Sequence, residues 1–310
     1  MRIAAVVVTH NRPQLLREVV AALQGQLRRP DRIIVVDNAS ATPTRELLAR
    51  MDGVSVLRSM VNVGGAGGFA LGLASACAAG FDWVWLLDDD AIPRPDALRQ
   101  LERAVLGPAA GAGAVCGAVR EFGDLALGHR RRFAAGSGIE RSMGRSAYEG
   151  GPVRIDTASF VGFMVAAGAV AVLGLPDTRL FISYDDTDYS LRLRRAGYEV
   201  WLAPASVVEH LRTAGSRLRI APFGARHYFN IRNRIVVVRR FASWPVLPAL
   251  WATAVGVAVC LRNPGRFRPH SWRILIRAIQ DGCHGRLGAY PAVLQQLAAP
   301  SLPAHSGKSP

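Results

Sequence analysis

Three consecutive carboxylates, Asp88, Asp89 and Asp90, directly follow the apolar run WVWLL. Like charges at this spacing repel one another, so the three groups need either open water or a bound cation. Mg²⁺ and Mn²⁺ are held in proteins by one or two carboxylates together with phosphate oxygens. The triplet therefore indicates either a divalent cation site that grips a diphosphate or a solvated acidic turn, which the nearby Pro93 also fits.

A second acidic group stands in the stretch YDDTDYSLRLRR. Asp185, Asp186 and Asp188 lie where the leucine spacing predicts the start of a helix, a position that acids favour for capping alone. Two adjacent acids and a third nearby exceed what capping needs, so one of them could act as a general base on an attacking hydroxyl. His210 closes the later run PASVVEH, and its imidazole is either structural or a further ligand of the cation.

The stretch NVGGAGGFALGLA places glycines at the start of another predicted helix. Backbone amides and the N-terminus of that helix could face a phosphate or a sugar. The stretch also satisfies a relaxed dinucleotide fingerprint through Gly65, Gly67 and Ala70, with Asp88 further on. The glycines follow the third predicted strand instead of the first, and three acids stand where one would serve a ribose, so the pattern argues against nicotinamide binding.

Strands and helices alternate along the first part of the chain. Residues 3–8 form a wholly apolar, β-branched run, and leucines and valines follow it at helical spacing. RIIVVDN, VSVL and WVWLL predict three further strands, with a helix over 44–51. This alternation predicts a mostly parallel sheet, in which ligands bind beyond the carboxyl ends of the strands. Besides the acidic triplet, the polar residues at those ends are Thr9, His10, Asn11, Asp37 and Asn38.

Two stretches interrupt this pattern. Residues 107–151 are rich in Gly, Arg and small side chains, which predicts a long mobile segment of the kind that often carries substrate contacts. Residues 241–261 carry no charge over 21 positions, with Pro245 and Pro248 in the first third. A helix that spans a bilayer, a shallow insertion with a proline kink and a buried core helix all remain open for this stretch.

The positive charge is concentrated at one end of the chain. The 310 residues have a net charge of +15, and residues 211–310 account for +14 of it. A basic segment interrupted by an apolar stretch fits anionic lipid headgroups. Nucleic acid is the rival partner, but the regular interleaving of basic and aromatic residues is missing, so we expect no nucleic acid. The cysteines show no metal-type pairing and the N-terminus shows no secretion signal, so we expect a cytoplasmic protein.

Taken in chain order, these motifs resemble those of the family 2 glycosyltransferases. The matching segments are VVVTHNRP, IIVVDNAS, NVGGAGGF, WVWLLDDD, LFISYDDTDYSLRLRRAGY, EH at 209–210, RHYFNIRNRI and GCHGRLG. The resemblance implies an α/β protein with a GT-A-like nucleotide-sugar-binding fold over 1–215. It also implies a basic, partly apolar helical region over 216–300 that contacts the membrane, and we expect a disordered tail over 301–310.

The resemblance implies roles for individual residues as well. Asp186 matches the family's base, with Asp185 as runner-up, and Asp88 is expected near the ribose of the donor. The implied ligands of Mn²⁺ or Mg²⁺ are Asp89, Asp90 and His210. The residues implied in binding the nucleotide-sugar are Thr9, Asn11, Arg12, Asp37, Asn62, Gly64, Gly65, Gly68, Asp88 and Asp89.

Within the family, NVGGAGGF and the RN pair at 232–233 are most similar to bacterial enzymes of cell-envelope synthesis. Those enzymes move rhamnosyl or galactofuranosyl residues to polyprenyl-linked glycans. We therefore expect a metal-dependent inverting transferase that uses a UDP- or dTDP-linked sugar at the cytoplasmic face of the cell membrane. A soluble or protein-linked acceptor, and a non-catalytic protein that binds a nucleotide-sugar, are the alternative hypotheses.

Overall fold

The first four strands form the parallel sheet that the sequence predicts. The computed structural model describes residues 1–212, 218 and 221–292. The strands β1 (Ile3–Thr9), β2 (Arg32–Asn38), β3 (Ser55–Ser59) and β4 (Trp83–Asp88) lie in the order β4-β1-β2-β3. The helices between them are α1 (Pro13–Gln24), α2 (Thr42–Ala49) and α3 (Gly64–Ala78). The register pairs Val8 with Asp88 and Thr9 with Asp37, so the polar strand ends meet at one edge.

The second half of the sheet is mixed. Its strands and those of a small separate sheet are β5 (Ala91–Pro93), β6 (Ala114–Glu121), β7 (Asp124–Leu125), β8 (Arg130–Ala134), β9 (Ile139–Ser142), β10 (Val153–Ile155), β11 (Thr157–Ala158), β12 (Phe163–Ala166) and β13 (Val200–His210). β12 runs antiparallel between β4 and β6, whereas β13 runs parallel to β6. The prediction of a mostly parallel sheet holds, because β6 and β13 run in the same direction as the first four strands. β12 and the short strands β5, β7 and β10 are the antiparallel members, and a short apolar run in the sequence does not reveal this direction.

The core occupies both faces of the sheet because the residues of β1 alternate between them. All seven residues of β1 are buried. Ile3, Ala5 and Val7 pack with α1 and with α4 (Ala97–Val105), while Ala4 and Val6 pack with α3 on the other face. The remaining helices are α5 (Ala167–Leu173), α6 (Asp185–Arg195), α7 (Ala225–Phe241), α8 (Val246–Arg262) and α9 (Pro269–His284). A strand covered on both faces is expected to be apolar throughout, as β1 is.

The prediction of a long mobile segment over 107–151 is wrong, because this segment contains several strands. β6 lies inside the sheet between β12 and β13. Arg130 at the start of β8 is fully buried and donates hydrogen bonds to the carbonyl oxygens of Gly117 (2.7 Å) and Val161 (2.6 Å). Gly117 permits a close approach, since a Cβ there would lie 2.5 Å from the carbonyl oxygen of Ser206. Small residues that serve such packing give a weak strand signal in the sequence.

The C-terminal helices form a cluster of their own that packs against the sheet domain. Tyr228 of α7 donates a hydrogen bond of 2.7 Å to Asp281 of α9, and Ile274 and Leu275 of α9 are buried in the same cluster. α8 buries only a narrow stripe of small residues, and its outer face is exposed. Within the described part of the chain, no helix is long and apolar enough to cross a membrane. The predicted boundary at 215 and the tail over 301–310 fall outside the described residues.

Candidate active site

A cleft of about 340 Å³ opens where the carboxyl ends of β4 and β13 meet the N-termini of α3 and α6. Eight of the residues singled out from the sequence line it: Arg12, Gly65, Asp88, Asp89, Asp90, Asp185, Asp186 and His210. Both acidic groups of the sequence therefore face one cavity, although about a hundred residues separate them in the chain. The carboxyl end of β4 supplies the first group, and the N-terminus of α6 supplies the second.

Asp88, Asp90 and His210, here called the cation triad, offer a set of ligands for a divalent ion. Their carboxylate and imidazole ligand atoms lie within 4.8 Å of one another. Burial raises the pKa of Asp88 to about 7, and the charge of Asp90 adds to the effect. A divalent cation relieves this cost because it replaces repulsion between carboxylates with attraction. Two carboxylates and one imidazole fit such an ion, and the rest of its coordination shell is open to phosphate oxygens.

Asp89 lines the same cleft but is not part of the cation triad, in contrast to the sequence-based expectation. Its carboxylate accepts hydrogen bonds from the Thr9 hydroxyl (2.8 Å) and the Arg12 guanidinium (3.1 Å). Asp89 and Asp90 form a turn after β4, and the same guanidinium nitrogen of Arg12 also donates to Asp90 (2.8 Å), so Arg12 bridges these two carboxylates. Asp88, which was expected near the ribose, therefore takes the place in the ligand set that was expected for Asp89.

His210 belongs to a hydrogen-bonded chain that the sequence analysis missed. Its Nδ1 lies 2.8 Å from Oε1 of Glu121, and Nε2 of His129 lies 3.1 Å from the same oxygen. Nδ1 of His129 in turn lies 2.7 Å from the Ser159 hydroxyl. Burial would lower the pKa of His210, but the hydrogen bonds with Asp90 and Glu121 raise it to about 9. Glu121 and His129 stand in the segment that was predicted to be mobile, and no local motif marks them.

Asp185 and Asp186 begin α6 and differ in their surroundings. Burial and the charge of Asp186 raise the pKa of Asp185 well above its ordinary value. Burial also raises the pKa of Asp186, but the guanidinium of Arg131 opposes that rise. Asp188 instead forms an ion pair of 2.8 Å with Arg240 and is not part of the cleft lining that the described residues form. Asp185 and Asp186 are therefore the two acids of the group that face the cleft.

The glycines at the start of α3 serve different purposes. Gly64 has a φ of +72°, and a Cβ there would lie 2.0 Å from the carbonyl oxygen of Phe181. A Cβ at Gly68 would lie 2.5 Å from the side chain of Val8 in β1. Gly65 lines the cleft, and a Cβ there would meet no atom of the described residues within 4 Å. Close packing therefore explains Gly64 and Gly68, whereas Gly65 is the one of these three that faces the open cleft.

The polar residues at the ends of β1 and β2 form a network beside the cleft. Asp37, which is almost fully buried, accepts a hydrogen bond of 2.9 Å from the backbone of Ser40. The side chain of Asn11 accepts one of 2.6 Å from the backbone of Ala41. Asn62 accepts hydrogen bonds from the Asn38 amide (3.1 Å) and from the backbone of Gly64 (2.9 Å). These contacts shape the edge of the cleft, and Asn11, Asp37 and Asn62 are not among the described residues that line it.

Three arginines face the acids in the same cleft. Arg12, Arg212 and Arg226 come from the N-terminus of α1, the end of β13 and the start of α7. All three line the same cleft, and burial together with the positive charges of Arg212 and Arg12 lowers the pKa of Arg226. Such a cluster suits a diphosphate. Only Arg12 was singled out from the sequence, whereas Arg226 shows that the C-terminal helices contribute to the cleft.

Comparisons with known proteins show which family the chain resembles. The family model described as Glycosyl transferase family 2 matches residues 4–167. Galactofuranosyltransferase GlfT1 of Mycolicibacterium smegmatis is 32% identical over 262 residues, which cover 80% of this chain and 87% of that protein. The protein of the same name from Mycobacterium tuberculosis (strain CDC 1551 / Oshkosh) is 37% identical over 202 residues, 62% of this chain and 64% of that protein.

A solved structure shows the same fold. The crystal structure of GalNAc-T7 with UDP, GalNAc and Mn²⁺ superposes with a TM-score of 0.61 at 17% sequence identity. The superposition covers 77% of this chain and 48% of that chain. On the strength of the family match and the relatives, this chain belongs to glycosyltransferase family 2, and it is a glycosyltransferase with a GT-A-like fold.

Proposed function

We propose that this enzyme transfers a galactofuranosyl residue from a UDP-linked donor to a hydroxyl of a polyprenyl-linked cell-envelope glycan, with inversion at the anomeric carbon. The observation that carries the proposal is the cleft, because it combines the cation triad, an arginine cluster and two acids at a helix N-terminus. The names of the two mycobacterial relatives favour galactofuranose over rhamnose as the sugar. UDP follows from that choice, and the GalNAc-T7 structure shows the fold with the same nucleotide.

In the proposed reaction, Asp186 accepts the proton of the acceptor hydroxyl as that oxygen attacks the anomeric carbon. The bond between this carbon and the diphosphate oxygen breaks at the same time, and the leaving nucleoside diphosphate takes both electrons. Arg12, Arg212 and Arg226 line the cleft where this negative charge grows. A single displacement of this kind inverts the anomeric configuration, and Asp186 ends the step protonated.

A divalent cation held by Asp88, Asp90 and His210 would neutralise part of the charge on the diphosphate. Mg²⁺ is held mostly by oxygen ligands, whereas imidazole is a typical ligand of transition-metal ions. His210 therefore favours Mn²⁺ over Mg²⁺ in this site. Mn²⁺ in the GalNAc-T7 structure supports the use of a divalent ion with this fold.

The outer face of α8 supports a lipid-linked acceptor and a contact with the cytoplasmic face of the membrane. Leu247, Leu250 and Trp251 of α8 are more than half exposed, as is Trp244 just before the helix. A cavity of about 230 Å³ joins Trp251 to Tyr184 and Thr187, the residues on either side of Asp185 and Asp186. Exposed tryptophans and leucines next to arginines are typical of an interfacial helix. We expect Leu247→Gln with Leu250→Gln to weaken sedimentation with anionic vesicles, and unchanged sedimentation would favour a soluble acceptor.

The test of the function is calorimetric binding of UDP, dTDP and GDP, each also with its sugar attached, to the purified protein. Mn²⁺ is present in one series and a chelator in the other. We expect UDP and UDP-galactofuranose to bind tightly only with Mn²⁺. Preference for dTDP would indicate rhamnose as the sugar. Equally tight binding in the presence of the chelator would show that the proposed cation is not needed for donor binding. If none of the nucleotides bound, the proposed function would be rejected.

A further inference from the structure

The segment that precedes the two catalytic-site acids has an unusual backbone. Phe181, Ser183 and Tyr184 have φ angles of +67°, +70° and +64°. Residues other than glycine rarely adopt such positive values. Residues 180–184 are here called the carboxylate turn, because α6 begins with Asp185 directly after them. Ile182 and Ser183 also line the cleft. A backbone of this kind persists only where the surrounding structure holds it.

Two side chains of α7 hold the carboxylate turn from the C-terminal side. The amide nitrogen of Asn233, which is fully buried, donates to the carbonyl oxygens of Leu180 (2.9 Å), Ile182 (3.0 Å) and Ser183 (2.7 Å). Arg232, which is also buried, donates to Leu180 (3.1 Å) and to the amide oxygen of Asn233 (2.8 Å). Because Arg232 needs an acceptor at this point, the amide of Asn233 must present its nitrogen to the turn.

The turn also forms a hydrogen bond with α3, the helix that begins with the glycine stretch. The carbonyl oxygen of Phe181 accepts a hydrogen bond of 3.0 Å from the backbone of Ala66 in α3. The ring of Phe181 stacks on Phe229 of α7 at 4.8 Å between centroids. Arg232 lies over the same Phe229 ring at 5.0 Å. The carboxylate turn is therefore enclosed between α3 on one side and α7 on the other.

We infer that Arg232 and Asn233 are positioning residues for catalysis, which hold the carboxylate turn so that Asp185 and Asp186 face the cleft. Neither lines the part of the cleft formed by the described residues, so they act through the turn. This role rests on the proposed action of Asp186 as the base. In this role, the RN pair at 232–233 holds the backbone before Asp185 and Asp186 in place, and α7 thereby supports the active site.

The decisive variant is Asn233→Ala, compared with Asn263→Ala. Asn263 is an equally buried asparagine of the C-terminal helices that bonds the backbones of Ala221 (2.9 Å) and Gly265 (2.9 Å) outside the cleft. We expect kcat of Asn233→Ala to fall by roughly 10- to 100-fold, because small displacements of catalytic groups cost that much. The affinity for UDP and the KM for the donor should change little. Asn263→Ala should lower Tm by a comparable amount and leave kcat unchanged.

Hydrogen exchange gives a second readout that needs no substrate. Asn233→Ala should speed amide exchange over 181–188, and Asn263→Ala should not. Arg232→Lys, a milder change, should lower kcat in the same direction if Asn233→Ala does not fold. Normal kcat in the Asn233 and Arg232 variants, or an equal loss of kcat in Asn263→Ala, would overturn the inference. A wild-type protein that binds no nucleotide would instead reject the proposed function, while the exchange pattern would still report on the turn.

Discussion

At the scale of single residues, the surroundings of the two adjacent acids favour Asp186 over Asp185 as the proposed base. Burial and the charge of Asp186 push the pKa of Asp185 far upward, which favours its neutral form. Arg131 opposes the same rise at Asp186, so that carboxylate keeps its charge more readily. The carboxylate of Asp186 also accepts a hydrogen bond of 2.7 Å from the backbone of Thr187, which fixes its direction. A base must be ionised to accept a proton, and these surroundings distinguish the two residues.

We expect Asp186→Asn to retain nucleotide binding and to lose transfer by roughly 10²- to 10⁴-fold. Asparagine keeps the shape and the acceptor for the backbone of Thr187, so the fold should not change. Steady-state transfer together with UDP calorimetry measures both effects. Asp188→Asn is the control, because Asp188 pairs with Arg240 outside the cleft. Its loss should lower Tm and leave kcat nearly unchanged. Normal turnover in Asp186→Asn with loss in Asp185→Asn would move the base to Asp185.

The pH dependence of an Arg131 variant tests whether Asp186 is the base. Burial raises the pKa of Asp186, so the rate should fall as the pH drops through that raised value. Arg131 lowers this pKa, whereas the carboxylate of Glu140 raises it. Arg131→Gln removes the positive charge while retaining a donor for Glu140, so the acid limb of kcat/KM should move to higher pH. Arg132→Gln, which loses a half-exposed partner of Asp156, should leave the limb in place. A limb that does not move in Arg131→Gln would contradict Asp186 as the base.

Glu121 is expected to control the affinity for the cation. Because its carboxylate holds the Nδ1 side of His210, the Nε2 side is the one that faces Asp90, at 3.2 Å. Outer partners that orient a metal-binding histidine typically affect affinity by about 10- to 100-fold. Glu121→Gln should therefore weaken Mn²⁺ binding by a factor in that range, measured by electron paramagnetic resonance of free Mn²⁺. Glu209→Gln is the matched control, since Glu209 pairs with Arg94 instead. An unchanged Mn²⁺ titration in Glu121→Gln would show that Glu121 has only a structural role.

At the scale of elements, the start of α3 connects the glycine stretch to the carboxylate turn. Gly64→Ala places a Cβ 2.0 Å from the carbonyl oxygen of Phe181 at a positive φ, and we expect a loss of about 1–3 kcal/mol in the free energy of unfolding. Urea denaturation measures it, and transfer should fall as well because the turn must shift. Gly65→Ala should leave stability unchanged and weaken donor binding, since Gly65 faces the cleft. Equal stability of the Gly64 variant and the wild type would show that the turn accommodates the methyl group freely.

At the scale of the whole molecule, we expect the C-terminal helices to be needed for both folding and transfer. α9 covers α7 through Ile274 and Leu275 and through the bond from Tyr228 to Asp281, and α7 supplies Arg226 to the cleft. A chain that ends at 240 exposes the apolar face of α7 that α9 otherwise covers. We expect that chain to lose folded structure and transfer together, as measured by circular dichroism and activity. The double variant Leu247→Gln and Leu250→Gln should keep both and lose only vesicle binding. An active chain ending at 240 would contradict this view.

Much of the site follows from the sequence because parallel strands end at a common edge. The polar residues after β1, β2 and β4 could be assigned to that edge, and the starts of α3 and α6 and the end of β13 followed from spacing alone. The family resemblance pointed to the GT-A-like fold and to glycosyl transfer, both of which the comparisons confirm. Periodicity and chain order carry this information, because they depend on neighbours in the sequence.

The tertiary structure decided the contacts that depend on side-chain direction and on distant partners. It placed Asp88 with Asp90 and His210, and turned Asp89 towards Arg12. It brought Glu121 to His210 across the sheet and Asn233 to the carboxylate turn. Hydrogen bonds between residues dozens of positions apart leave no local pattern, and glycines chosen for close packing look in the sequence like glycines chosen for a ligand. Candidate residues for the chemistry could be named from the sequence, but the residues that hold them in place could be identified only in the folded chain.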